Sequence, residues 1–130
     1  MKPEPIVRWL ELVKSGDASK IEDLLTGDAA FLSPALHKPQ VGAALVAKYL
    51  RAAIAVLGAG AFRYTNEWFG ENSAVLEFEA EIDGVFIDGA DFIFWNAEGR
   101  IHTFKVMIRP LKALNTLIAL MGKQLAAAPR

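Results

Sequence analysis

The dipeptide Asp83-Gly84 lies between two runs of alternating polarity, residues 73–82 and 85–95. Between such runs Asp-Gly closes a two-residue turn whose positive φ angles few other residues adopt without strain. A turn that short leaves the register no freedom: Ile82 faces Val85, Ala80 faces Ile87, Phe78 faces Gly89 and Leu76 faces Asp91. One side of the hairpin gathers Leu76, Phe78, Ile87 and Ile93, and the other gathers Glu77, Glu79, Glu81 and Asp88. Asp91 falls on the apolar side.

The alternation extends in both directions from this turn. Strands are predicted over 61–69, 73–82, 85–95 and 100–109, joined by Gly70-Glu71-Asn72, by Asp83-Gly84 and by Asn96-Ala97-Glu98-Gly99. Pairing 61–69 across the Gly70 turn sets Arg63 opposite Glu79 and puts Phe62, Tyr64, Asn66 and Trp68 on the Asp91 side. The last turn reads as a four-residue loop or as a three-residue loop with a glycine bulge, which give opposite facings; as the four-residue loop it adds His102, Phe104, Val106 and Ile108 to that face. Thr103, Lys105, Met107 and Arg109 then join Phe92 and Phe94 on the outer face, whose apolar members need a cover; a second copy of the sheet supplies one.

Before residue 61 the period is helical. Ile6, Leu10 and Val13 follow Pro3 and Pro5, and Gly16 ends that helix. Ser19 and Glu22 have capping-box spacing ahead of Leu24 and Leu25, which predicts a short second helix stopped by Gly27-Asp28. Residues 30–33 read as extended, and a third helix runs over 41–57 to Gly58. After Pro110, the stripe Leu114, Leu117, Ile118, Met121 and Leu125 predicts a closing helix. The expectation is one α+β domain over residues 1–130.

Composition narrows the function. A hydrophobic share of 53% against 22% charged residues leaves apolar surface over, for a pocket, a dimer interface or both. A net charge of −1 without a basic cluster argues against nucleic acid. There is no cysteine, so no disulfide, thiolate metal site or cysteine nucleophile is available. The start of the chain lacks the apolar run of a signal peptide, and the longest apolar stretch, 52–62, is about half the ~20 residues a membrane span needs. The expected location is the cytoplasm.

Three stretches, WLELVKSGDASKIEDLL (9–25), FLSPALHKPQVG (31–42) and GADFIFWNAEGRIHTFKVMIRP (89–110), occur in an order and spacing that resemble the nuclear transport factor 2-like superfamily. The likeness is closer to its SnoaL-like branch of polyketide cyclases and ketosteroid isomerases. It implies a cone-shaped, cystatin-like roll: three N-terminal helices on a curved antiparallel sheet, plus a C-terminal helix. It also implies a small-molecule pocket at the open end and dimers through the outer sheet face. Isomerase-like members use a base aspartate before a proline, a tyrosine on helix one and a protonated aspartic acid. Here the matching positions are Ser33, Trp9 and Asp91, so the set is incomplete.

These residues yield two candidate catalytic groups, Asp91 and the loop histidine His37. The wider candidate pocket set is Trp9, Ser33, Tyr64, Asn66, Trp68, Asp91, His102 and Phe104. An aspartate among apolar side chains either donates from a raised pKa or accepts hydrogen bonds that merely order the fold. The row Glu77, Glu79, Glu81 diverges along one strand and reads as a solvated face rather than a metal or glycosidase site. Gly58-Ala59-Gly60 leads from helix to strand, the reverse of a phosphate-binding loop. No cofactor or metal is expected. Two functions stay open: a hydrophobic small-molecule site with cofactor-independent acid–base turnover of cyclase, isomerase or hydratase type, or a dimeric module without catalysis.

Overall fold

A computed structural model of the chain describes residues 2–127. Its sheet has six strands in the order β2-β1-β6-β5-β4-β3. These are β1 (Leu25–Leu32), β2 (Gln40–Val41), β3 (Ala61–Phe69), β4 (Ser73–Ile82), β5 (Val85–Trp95) and β6 (Ile101–Arg109). Three helices, α1 (Glu4–Ser15), α2 (Ala43–Gly58) and α3 (Leu111–Ala127), complete the α+β fold around a curved sheet. No helix among the described residues is long and apolar enough to cross a membrane.

The β4–β5 hairpin has the register that Asp83-Gly84 dictates, with Ile82 opposite Val85 and Leu76 opposite Asp91. Both turn residues take positive φ, 52° at Asp83 and 77° at Gly84. Glycine is also required at position 89, opposite Phe78. A Cβ on Gly89 would lie 2.5 Å from Phe78 Cζ, 2.8 Å from Ile108 Cδ1 and 2.9 Å from the Met107 carbonyl, because the Phe78 ring folds across that position.

Two expectations about the first half need correction. The predicted second helix is one 3-10 turn, Ile21–Leu24, and Leu25 already begins β1. Burial explains the change: Leu25, Ala29 and Phe31 all go into the core, and Gly27-Asp28 sits exposed in an irregular stretch of β1 rather than ending a helix. The sheet is also not purely antiparallel, since β1 pairs in parallel with β6 while β2 pairs antiparallel with β1.

The helices pack on the inner face of the sheet and bury it in two clusters. Ile6, Trp9, Leu50, Leu76, Ile93 and Phe104 belong to the first. Val56, Phe78, Ile82, Ile87, Ala113 and Leu117 belong to the second, and Tyr64 packs against both. On the outer face Arg63 pairs with Glu79 and Arg109 with Asp88, at 2.9 and 3.0 Å. Such exposed pairs contribute little. Phe92 and Phe94 are half-buried, with the Lys105 ammonium 5.4 Å from the Phe92 ring centre and the His102 imidazole 6.3 Å from that of Phe94.

Gly89→Ala should destabilise the protein by about 2 kcal/mol, the scale of overpacking in a closed core, and lower its urea midpoint at unchanged m-value. Gly84→Asn, at an exposed turn that tolerates left-handed backbone, is the control and should change little.

Candidate functional site

Between the two clusters the helices do not close on the sheet, and a cavity of about 780 Å³ remains. Its floor is the inner sheet face: Phe62 and Tyr64 from β3, Asp91 from β5, and Phe104, Val106 and Ile108 from β6. Trp9 and Val13 of α1, Tyr49, Ile54 and Leu57 of α2, and Leu117, Ile118 and Met121 of α3 make the walls. Ser33 and Leu36 border it from the loop after β1. The enclosure is aromatic on the sheet side, where Trp9 meets Phe104 edge-on at 4.9 Å and Phe62 meets Tyr64 edge-on at 5.1 Å.

Asp91 is the one carboxylate among these lining residues and the one buried charged residue among those described. The hairpin register sets it opposite Leu76 and Val106, so it has no route to the outer face. The Tyr64 hydroxyl donates to Asp91 Oδ2 at 2.7 Å, and the Trp9 indole Nε1 donates to the Tyr64 oxygen at 3.0 Å. Among the described residues Oδ1 has no hydrogen-bond partner, which leaves it for whatever occupies the cavity. Desolvation pushes the Asp91 carboxyl from its ordinary 3.8 up to about 7, against the opposing effect of the Tyr64 hydrogen bond. Burial, followed by the proximity of Asp91, raises Tyr64 well above the usual phenol range. The phenol is therefore neutral and able to donate at any physiological pH.

The structure brings Trp9, Ser33, Tyr64, Asp91 and Phe104 to this cavity and leaves four other candidates out of it. Asn66 and Trp68 are turned outward by a register shift between Tyr64 and Asn66, where β3 carries one more residue than its partner. Asn66 donates to Glu77 Oε1 at 2.7 Å on the outer face, and Trp68 is 55% exposed there. The same shift turns Glu67 inward, opposite Leu76, where it pairs with Lys2 at 3.2 Å. His102 is displaced by a second shift, between Phe94 and Trp95; it is exposed, with Nδ1 2.8 Å from its neighbour Thr103 Oγ1. His37 is exposed in the loop beyond Ser33 and does not line the cavity. Helix faces supply most of the lining that strand register does not reach. Ile54, Leu57, Leu117 and Met121 are legible in the sequence as apolar stripes but not as cavity walls.

Ionising Asp91 inside this shell opposes folding. Its carboxyl titrates higher in the folded chain than in the unfolded one, so stability is fully present below pH 4 and falls as pH rises toward 7. The loss is on the order of 4 kcal/mol at its largest. Asp91→Asn keeps the shape and an acceptor for Tyr64 but has no charge to bury. Chemical denaturation should therefore find the variant the more stable protein at pH 8, with the difference shrinking or reversing at pH 4.5.

No protein-family model matches the chain, and no curated protein does. Among solved structures, a steroid delta-isomerase from Pseudomonas aeruginosa superposes with a TM-score of 0.91 at 35% identity, over 95% of this chain and 90% of that one. A bacterial protein with a cystatin-like fold from Silicibacter pomeroyi DSS-3 superposes with a TM-score of 0.86 at 30% identity, covering 95% and 86%. The epoxide hydrolase/cyclase-like enzyme SalBIII, with a role in pyran ring formation in the polyether salinomycin, shares the fold at 17% identity and a TM-score of 0.67, covering 83% and 90%. With relatives this similar over nearly its whole length, the chain belongs to the nuclear transport factor 2-like superfamily.

Proposed function

We propose that this chain binds a hydrophobic, ring-containing small molecule in the cavity, with an acceptor oxygen of the ligand held by the Asp91 carboxylic acid. The observation that carries this reading is one carboxyl with a free oxygen at the wall of an otherwise apolar space of about 780 Å³. Ligand sites are roughly 300–1,000 Å³, mostly apolar, with few polar groups that fix orientation. The relation to a steroid delta-isomerase supports a polycyclic ketone as the ligand class. A filled, purely structural interior would need side chains that the fold does not place there.

Turnover on this reading is acid-assisted and needs no cofactor. Asp91 donates to the ligand oxygen, and Tyr64 is already placed to stabilise the carboxylate if the proton moves. Ser33 stands where the isomerase likeness expects a carboxylate base, and Asp91 is the one carboxylate among the lining residues. Dienolate formation is therefore disfavoured, and ring closure, hydration or rearrangement driven by one polarised oxygen fits better. A second copy of the chain covers the outer sheet face on the same reading. Met107 of β6 is 49% exposed and Trp68 of β3 is 55% exposed on that face, and a two-fold interface would bury both.

The binding reading is tested with a 3-ketosteroid and its 3-hydroxy counterpart, titrated calorimetrically at pH 6 and pH 8. The ketone needs the protonated acid, so with a midpoint of about 7 its affinity should fall about tenfold between the two values. The alcohol can donate to the ionised carboxylate and should lose less. Asp91→Asn should bind the ketone with no such pH dependence. Equal ketone affinity at both pH values, or no binding of either steroid, would remove this reading. For the assembly, sedimentation should show a dimer that Met107→Glu converts to monomer.

A further inference from the structure

The hydrogen-bond chain from Trp9 through Tyr64 to Asp91 has only one self-consistent direction. An indole N–H can donate and cannot accept. The Trp9 Nε1 to Tyr64 oxygen contact at 3.0 Å therefore uses the phenol oxygen as an acceptor, and the phenol proton goes to its other neighbour, Asp91 Oδ2 at 2.7 Å. If Tyr64 instead accepted from both sides, its own buried O–H would be unsatisfied, a cost that the observed arrangement avoids. Oδ2 is thus committed as an acceptor, and when Asp91 carries a proton it carries it on Oδ1.

We propose that Trp9 is a positioning residue of the site: by fixing the direction of the chain through Tyr64, it holds the acid proton of Asp91 on the oxygen left open to the cavity. The assignment deepens the proposed function and rests on it only in placing a ligand oxygen at Oδ1. A tyrosine at position 9 would have had a proton of its own to offer and an oxygen able to accept. Tryptophan can only donate, so it cannot accept the phenol proton, and its ring is held by an edge contact to Phe104 and by burial at 3% exposure. The site then presents one donor in one place. It suits a ligand with a single acceptor oxygen at that end, such as a ketone, over one that needs two converging donors.

The surroundings do not offer a competing partner. The other titratable groups bordering the cavity are Tyr49 of α2, Lys14 at the end of α1 and Arg63 of β3, whose guanidinium is engaged with Glu79. Glu67 lies on the inner side of β3 beyond Tyr64 and is paired with Lys2. None of them forms a hydrogen bond with the carboxyl of Asp91 among the described residues.

The test monitors the Asp91 carboxyl in ligand-free protein by carbon-13 NMR, with the resonance assigned by its loss in Asp91→Asn. Tyr64→Phe should move the titration midpoint to higher pH by on the order of one unit, because the donor that stabilises the carboxylate is gone. Trp9→Phe should move it in the same direction by less, since a phenol that accepts no hydrogen bond is a weaker donor and is free to reverse. In the Tyr64→Phe background Trp9→Phe should have no further effect, because Trp9 acts only through the phenol. If Trp9→Phe leaves the midpoint where it is, or moves it equally in both backgrounds, Trp9 is packing alone and the proposal fails. Should Trp9→Phe not fold, β-(3-benzothienyl)alanine at position 9 keeps the bicyclic shape without the N–H and reports the same comparison. The readout needs no ligand, so failure of steroid binding would remove the functional reading and leave this result standing, and the converse also holds.

Discussion

The ten residue pairs between β4 and β5 run from Ser73–Phe94 to Ile82–Val85 without a bulge, and the rest of the molecule is arranged around that ladder. A two-residue turn allows no slippage, and a slip of one residue would exchange the two faces of both strands. The ladder gives Leu76, Phe78, Ala80 and Ile82 to the core and leaves Glu77, Glu79 and Glu81 to water. It also carries Asp91 inside, because Asp91 shares its face with Ile87 and Ile93. The strands on either side of the ladder are bulged, so the adjustments of this sheet are made at β3 and β6. Bulges bend the strands that carry them, which suits a sheet that must curve round a cavity.

Placing an acid where the ladder puts Asp91 costs stability unless the group is neutral or well partnered. The fold uses part of both remedies. Tyr64 reaches diagonally from the neighbouring row of β3 to Oδ2, and burial raises the carboxyl until it is about half protonated near neutral pH. Neither remedy is complete, since Oδ1 has no partner from the described residues. A structural role would be served as well by asparagine in that shell, without the charge. On the proposed reading the unpartnered oxygen and the unfilled space beside it belong together, because one ligand would account for both.

How far the sequence discloses this site depends on where the strand count is regular. The register of β4 with β5 results from turn length, and the pairing of Arg63 with Glu79 and the inward Phe104, Val106 and Ile108 have the facing that alternation predicts. Asn66 and Trp68 do not, because both lie beyond an extra residue in β3 that reverses the facing past that point, and His102 does not, because it is itself the extra residue of β6. Alternation gives little warning there: residues 61–69 carry large apolar side chains on both faces, so either phase can be buried in part. The adjacent aromatics Trp68 and Phe69 are the one local sign that the phase changes, since a single strand cannot bury both on one side. The lost second helix has a related cause. Capping-box spacing at Ser19 and Glu22 is a local preference, and the burial of Leu25, Ala29 and Phe31 beside β6 overrides it.

The two departures from the isomerase pattern act together. Serine at position 33 removes the group that would take a proton from carbon, and tryptophan at position 9 removes a second donor that would share the oxygen with Asp91. There remains an acid whose proton has one place to sit, in a space lined by aromatic and aliphatic side chains. In such a site the apolar area buried supplies most of the affinity, at roughly 25 cal/mol per Å², and one hydrogen bond adds only about 1 kcal/mol. The weight of Asp91 therefore lies in orientation. On the proposed reading it decides which end of a ring system enters against β5 and which oxygen is polarised there, and a change at Asp91 should alter which ligand isomer binds more than how tightly the best one does.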